Sequence, residues 1–341
     1  MNEVVLEIGD PEAVPPGVIV YLDQLHWVTL AQQVWAPEKV AARERQAAER
    51  LIELSEARLI TIPLSSGNLI EMSQLDGKRR RHLATTMLRL SRGWQMRNPI
   101  AVRGEELRRV LSREAPVLPN VFTLDPGAMF AEGIEPPDPI QDLPPEWQQT
   151  FQALTTVNSM VATVIEDKKI ISIEGREKAA LWAQIHGNLA TYMRDDCTPR
   201  EHKRSSALTA LLTDLRQEIG AAANDVAISQ DDFSHWLQED LEEDLARLPY
   251  LGRHHEVIHR RLSNADEKWE ANDLVDINYL CCAAGYADVM VGEKKTAEHL
   301  KRVEKKVSVG AYVCRTLAQA AERIDELIAD ADASRAGAQT P

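Results

Sequence analysis

The chain has 341 residues, 44% of them apolar and 27% charged, which is enough to bury a full core and suggests two domains or one domain with a large insertion. No apolar run approaches the roughly 20 residues of a membrane span, and MNEVVLEIGDPEAVPPG has neither the basic start nor the apolar core of a signal peptide, so a cytoplasmic protein is expected. A net charge of −14 argues against coating nucleic acid by bulk electrostatics, although it says nothing about local patches.

A Pro/Gly-rich lead-in, Val14 to Gly17, precedes VIVYL (Val18–Leu22), a β-rich run of the kind buried on both faces of a sheet. The run ends in Asp23. A carboxylate there needs a partner, either as the cap of a helix over QLHWVTLAQQ or as part of a site. WAPEKVAARERQAAERLIELSEA, with Pro37 at its start, predicts a helix. A second strand is predicted over Leu59–Leu64, ending at Ser65, Ser66 and Gly67, and a capped helix start follows at NLIEMSQL. Strand, helix, strand, helix argues for a parallel sheet.

From about Arg79 to Asp266 strand-like runs almost vanish, and an all-α insertion is predicted. Residues 78–113 carry eleven Lys or Arg against two Glu, whereas residues 229–245 hold seven acidic residues and no basic one. Arg79, Arg80, Arg81, Arg89, Arg92 and Arg97, with Trp94 among them, offer contacts to a phosphate backbone and a stacking surface for a base. The other reading is a solvated face pairing with the acidic segment. A Pro-rich connector spans Pro126 to Trp147 and reads as an extended surface loop, and helices are predicted near 147–168, 174–194, 200–223, 230–246 and 250–269.

HEVIH, residues 255–259, fits the H-E-x-x-H pattern of zinc peptidases, with Glu256 as general base. Arg253, Arg260 and Arg261 flank it where such helices carry uncharged residues, and only Glu267 or Glu270 offers a third ligand. A chance match in a charge-rich helix is the stronger reading.

The sheet pattern then returns as a helix (Asp273–Ala284), a strand (Val289–Val291), a helix (Thr296–Glu304), a strand (Val307–Val309) and a last helix, consistent with right-handed βαβ units. ADASRAGAQTP reads as a disordered tail. Cys197, Cys281, Cys282 and Cys314 lack zinc-knuckle spacing and read as reduced core residues. The expected organisation is an α/β domain built from residues 17–76 and 270–325, a helical insertion over 77–269, and an unstructured 326–341.

Ligands of parallel α/β sheets bind outside the carboxyl ends of the strands. Asp23 ends the first strand, Glu71 lies on the helix after the second, Asp288 opens the third, and Glu293 follows its last apolar residue by two. Asp273 and Asp276 share one helix face just before that strand. Carboxylates converging on one edge repel each other unless a cation neutralises them, and oxygen-rich sets select Mg²⁺ or Mn²⁺. Two such ions, roughly 3.5 to 4 Å apart, can activate water and stabilise the leaving oxygen of a phosphodiester.

The order of Asp23 at a strand end, Glu71, NDLVD and YADVMVGEK resembles the PIN-domain nucleases, especially PIN-like proteins with large helical insertions, over roughly residues 17–76 and 270–320. The resemblance implies a three-layer α/β/α domain whose acidic residues bind Mg²⁺ or Mn²⁺ and cleave RNA, less often DNA. Asp23 matches the first acidic position, Glu71 the second, and Asp273 or Asp276 the third. Glu293 stands where the family has Asp in a Thr-x-Asp segment, and Asp288 is an extra candidate from the Tyr-Ala-Asp variant. The chain departs from the pattern at Gln24, in place of a small hydroxyl residue, and at Gly292, in place of the motif Thr.

A metal-dependent endoribonuclease is thus expected, with Asp23, Glu71, Asp276 and Glu293 catalytic and Asp273 and Asp288 as further metal-ligand candidates. By family analogy alone the expectation extends to a bacterial toxin or phage-defence effector, with a protein partner or antitoxin on the insertion; self-association is left open. The alternatives from other classes are a non-catalytic PIN-like interaction scaffold and a zinc peptidase using His255, Glu256 and His259.

Overall fold

The computed structural model describes residues 5–7, 12–125, 173–194, 199–264, 266–307 and 310–338, with scattered positions between 128 and 154. The chain starts with β1 (Val18–Leu22), α1 (Gln24–Trp35), α2 (Ala42–Glu56), β2 (Ile60–Thr61), α3 (Ser66–Met72) and α4 (Gly77–Ser91). Next come β3 (Gln95–Met96), α5 (Pro99–Leu111) and β4 (Phe122–Thr123). A helical stretch follows: α6 (Ile173–Tyr192), α7 (Arg200–Asp214), α8 (Arg216–Asp225), and α9 (Gln230–His235), which passes through a π-helical turn into α10 (Leu241–Arg247). It ends with α11 (Leu251–Leu262). The last elements are α12 (Ala271–Tyr286), β5 (Val289–Val291), α13 (Lys294–Val303), β6 (Tyr312–Cys314) and α14 (Leu317–Ala338).

The fold is mixed α/β and mostly helical, with one parallel four-stranded sheet in the order β2-β1-β5-β6. The sheet joins the first and last parts of the sequence: Val20 pairs with Val289 and Leu22 with Val291. Alternation along the strands splits the interior in two. Val20, Leu22, Val289, Val291 and Cys314 pack with α1, α2, α4 and α14, while Tyr21, Met290 and Val313 pack on the other face with α12 and α13. With both faces covered, an uninterrupted apolar run such as VIVYL is the expected strand sequence. A third cluster, with Leu107, Leu211, Leu215, Trp236, Leu245 and Leu251 in it, sits among α5, α7, α8, α10 and α11, away from the strands.

Several elements differ from the sequence expectation. The second strand is confined to Ile60–Thr61, since further along only Leu64 makes a bridge, to Gln95. Gln95 and Met96 pair antiparallel with Thr123 and Phe122, so a short hairpin lies within the stretch expected to be all helical. Two-residue strands carry no readable period. The fourth strand forms at Tyr312–Cys314 rather than Val307–Val309; Val307 is not in a strand, and residues 308 and 309 lie outside the described set. Register decides this: the Tyr312 N–H donates to the Asp288 carbonyl at 2.9 Å, and Val291 stands opposite Cys314.

The last helix continues to Ala338, through most of the residues read as an unstructured tail, because its Ala-rich sequence favours helix. Helix α4 joins the same core as β1 through Leu83, Met87 and Leu90, past the boundary set at residue 76. Most of the connector from Pro126 and of the helix expected over 147–168 lies outside the described residues, as does Cys197; the other three cysteines are buried and free. No helix among the described residues is long and apolar enough to cross a membrane.

Candidate active site

At the carboxyl end of β1 the chain turns straight into α1, and Asp23 is its N-cap. One carboxylate oxygen accepts the Gln24 N–H at 2.8 Å, and the other accepts the Glu293 N–H at 3.2 Å. Its own N–H donates to the Val291 carbonyl at 2.9 Å. Asp23 is therefore both a cap and the stitch between the ends of β1 and β5. Burial raises its carboxyl above the ordinary aspartate value, and the two backbone donors oppose that.

Glu71 reaches the same edge from α3. The N-terminus of α3 is fixed by a reciprocal capping box: the Asn68 N–H donates to Ser65 Oγ at 3.2 Å, and the Ser65 N–H donates to Asn68 Oδ1 at 3.1 Å. Asn68 also donates to the Leu22 carbonyl at 3.4 Å, so the turn before Glu71 is tied to the end of β1. Asp276 comes from α12, one turn before Tyr279, whose hydroxyl lies 2.6 Å from Ser66 Oγ. Tyr21 Oη lies 2.9 Å from Ser65 Oγ. A buried hydroxyl network thus links β1, α3 and α12 beneath the carboxylates. Close approach is needed for this, since a Cβ on Gly67 would sit 3.1 Å from the Tyr279 ring.

The carboxylates at this edge act on one another through their charges. Lost hydration, then the negative charges of Asp23, Asp276 and Glu293, push the Glu71 carboxyl up to about 8, although Glu71 keeps exposed surface. Lost hydration, then Asp23, Glu293 and Asp273, push Asp276 up to about 7, and the Arg261 guanidinium offsets this least. Asp23, Glu71, Asp276 and Glu293 therefore share one field from four different elements. Among the described residues no three His, Cys, Asp or Glu side chains are gathered closely enough to hold a metal ion as they stand.

The remaining acidic candidates are used otherwise. Asp273 accepts the Glu270 N–H at 2.6 Å and pairs with Arg261 at 2.8 Å, so it caps α12 with its charge already matched. Asp288 lies at the other end of β5, where it accepts the Ile19 N–H at 2.7 Å and stitches two strands together. It does not belong to the Asp23 edge.

The basic segment is also divided. Arg79 and Arg81 are exposed on the first turns of α4, but Arg80 and Trp94 are buried and cannot meet a nucleic acid. Arg89 pairs with Glu56 and Arg92 with Glu7, while Arg97 is half-buried. The acidic segment meets this region only through an Arg113 to Asp240 contact of 3.7 Å among the described ion pairs; Arg204 and Arg247 neutralise other parts of it.

In the H-E-x-x-H segment the charges are arranged for structure. Glu256 is held by Arg204 at 2.9 Å and by Lys306, so its carboxylate is not free to act as a base. Burial pushes His255 down to about 4, and the His255 and His259 rings stand 6.5 Å apart.

Two residues at the carboxylate edge were not singled out by the sequence. His26 is buried one turn after Asp23, hydrogen-bonds the Gly292 backbone and feels the charges of Glu44 and Glu293; burial holds its imidazole below the ordinary value. The i, i+3 spacing from Asp23 is the signal that could have found it. Gln24 is buried with neither amide atom hydrogen-bonded among the described residues. In comparisons with known proteins, no family model, curated protein or solved structure matches the chain.

Proposed function

We propose that the chain is a PIN-like, metal-dependent nuclease that hydrolyses phosphodiester bonds of RNA. Residues 17–76 and 270–325 would form its three-layer catalytic domain, and the helical stretch would restrict access or bind a partner, such as an antitoxin. One observation carries this reading: Asp23, Glu71, Asp276 and Glu293 repel each other at the carboxyl end of a parallel sheet. That donor set fits a hard divalent cation, being all oxygen and short of positive charge. These four residues would hold Mg²⁺ or Mn²⁺, which supplies Lewis-acid stabilisation of the phosphate and leaving oxygens.

The chain's own groups divide the remaining work. Asp23 is the rigid member, because backbone N–H groups fix both of its oxygens. Glu71, exposed and protonated near neutral pH in the metal-free chain, would accept a proton from the attacking water only once ionised, above about pH 8 or beside a bound cation. The water oxygen bonds to phosphorus and the bond to the 3′ oxygen breaks. Asp276 would be ionised as a ligand of the cation, and a proton from water returns to that oxygen, leaving 5′-phosphate and 3′-hydroxyl ends.

The test is incubation of a labelled RNA pool with purified protein in Mn²⁺, Mg²⁺ or EDTA, alongside Asp23→Asn and Asp276→Asn. Metal-dependent cleavage lost in both variants is expected. Cleavage that persists in EDTA or in both variants overturns the proposed site, and inert wild type on RNA and DNA points instead to a non-catalytic interaction module.

A further inference from the structure

Beyond Glu293 the chain enters α13, which runs away from the carboxylate edge toward a cleft of about 700 Å³ between α7, α11 and α13. Lys203, Arg260, Arg302 and Lys306 line the cleft, against one carboxylate, Glu256. The charge of Glu256 is already taken up by Arg204 and Lys306. Among the described residues neither Lys203 nor Arg260 takes part in an ion pair, and Arg302 reaches Glu298 only at 3.9 Å. The Nδ1 of His299, on the same wall, is buried without a hydrogen-bond partner among the described residues. A concentration of unmatched cations in a chain of net charge −14 repels itself unless an anion enters.

The placement identifies the anion. Arg302 lies nine residues along the helix axis from Glu293, roughly 14 Å at the α-helical rise. A strand whose scissile phosphate sits among Asp23, Glu71, Asp276 and Glu293 would need cations at about that remove to hold its neighbouring phosphates. We propose that this cleft binds the phosphodiester backbone of single-stranded RNA leaving the carboxylate site; this rests on the nuclease reading. The cleft, rather than the exposed arginines of α4, is then the main electrostatic contact.

The test is fluorescence anisotropy with a labelled single-stranded RNA in EDTA, on the full chain carrying Asp23→Asn, across a series of salt concentrations. Lys203→Ala with Arg260→Ala should weaken binding about tenfold and flatten the plot of log affinity against log salt by about 1.4, or 0.7 for each phosphate left without its cation. Neither side chain sits in an ion pair, so the melting temperature should hold; Lys203→Arg with Arg260→Lys should restore both affinity and slope. Unchanged affinity and slope in the alanine variant overturn the proposal, and so does a loss caused instead by Arg79→Ala with Arg81→Ala. If wild-type protein cleaves RNA while the cleft variant binds and cleaves as before, the cleft falls and the nuclease stands. If wild type neither binds nor cleaves RNA, both fall.

Discussion

Glu71 and Asp276 hold protons near neutral pH because lost hydration, and then the charges of the neighbouring carboxylates, disfavour their ionised forms. Their folded values lie above those of the unfolded chain, so the stability they contribute is fully present below about pH 4. It is lost as pH rises through 7 to 8. Melting of the metal-free protein should therefore occur at a lower temperature at pH 8 than at pH 5.5. Added Mg²⁺ should raise the melting temperature more at pH 8, where it meets carboxylates rather than acids; an equal rise at both values would count against cation binding here. Asp276→Asn removes the repulsion and should raise the metal-free melting temperature at pH 8 by about 2 °C while abolishing cleavage. Asp273→Asn should do the reverse. It weakens a cap and a partly buried pair with Arg261, so unfolding in urea should show a loss of about 1 to 2 kcal/mol with cleavage largely retained.

At the scale of elements, the site depends on how closely α3 lies against α12. Gly67→Ala puts a methyl group 3.1 Å from the Tyr279 ring, and we expect the shift that relieves this to move Glu71 away from Asp276. Cleavage should fall about tenfold, more than the small drop in melting temperature would suggest, because misplacement is costly where groups must align. Much of this was legible in the sequence. VIVYLD and VMVGE announce central strands by their apolar runs, and position alone places Asp23 and Glu293 at the carboxyl edge. The choice between Asp273 and Asp276 was not legible, since both share a helix face and only the Arg261 pairing separates them. Nor was the burial of Arg80 and Trp94, because a run of arginines reads as surface until the packing of α4 is known. The edge strand was displaced for a similar reason: Val307–Val309 and Tyr312–Cys314 are equally β-prone, and register with β5 chooses between them.

Across the whole molecule, one buried carboxylate ties the helical cluster to the sheet side. Glu106 on α5 accepts the N–H groups of Tyr250 and Leu251 at 2.8 and 2.9 Å and the Tyr286 hydroxyl at 2.6 Å. It thereby serves the N-terminal start of α11 and the end of α12 together. Burial pushes it up to about 7 despite these donors. Glu106→Gln turns one acceptor into a donor facing a donor, and urea unfolding should show a loss of about 2 kcal/mol.

The contact between the Glu293 N–H and Asp23 joins positions 270 residues apart. During synthesis, a chain still missing β5 lacks Glu293 of the four carboxylates, and β1 lacks its neighbour on one side, so nothing holds Asp276 and Asp23 at a common edge of the sheet. The carboxylate edge therefore closes only after β5 and Glu293 have left the ribosome. A chain that stops short of Glu293 would lack one of the four proposed cation ligands, so the order of synthesis would keep the proposed nuclease inert beside the RNA that encodes it.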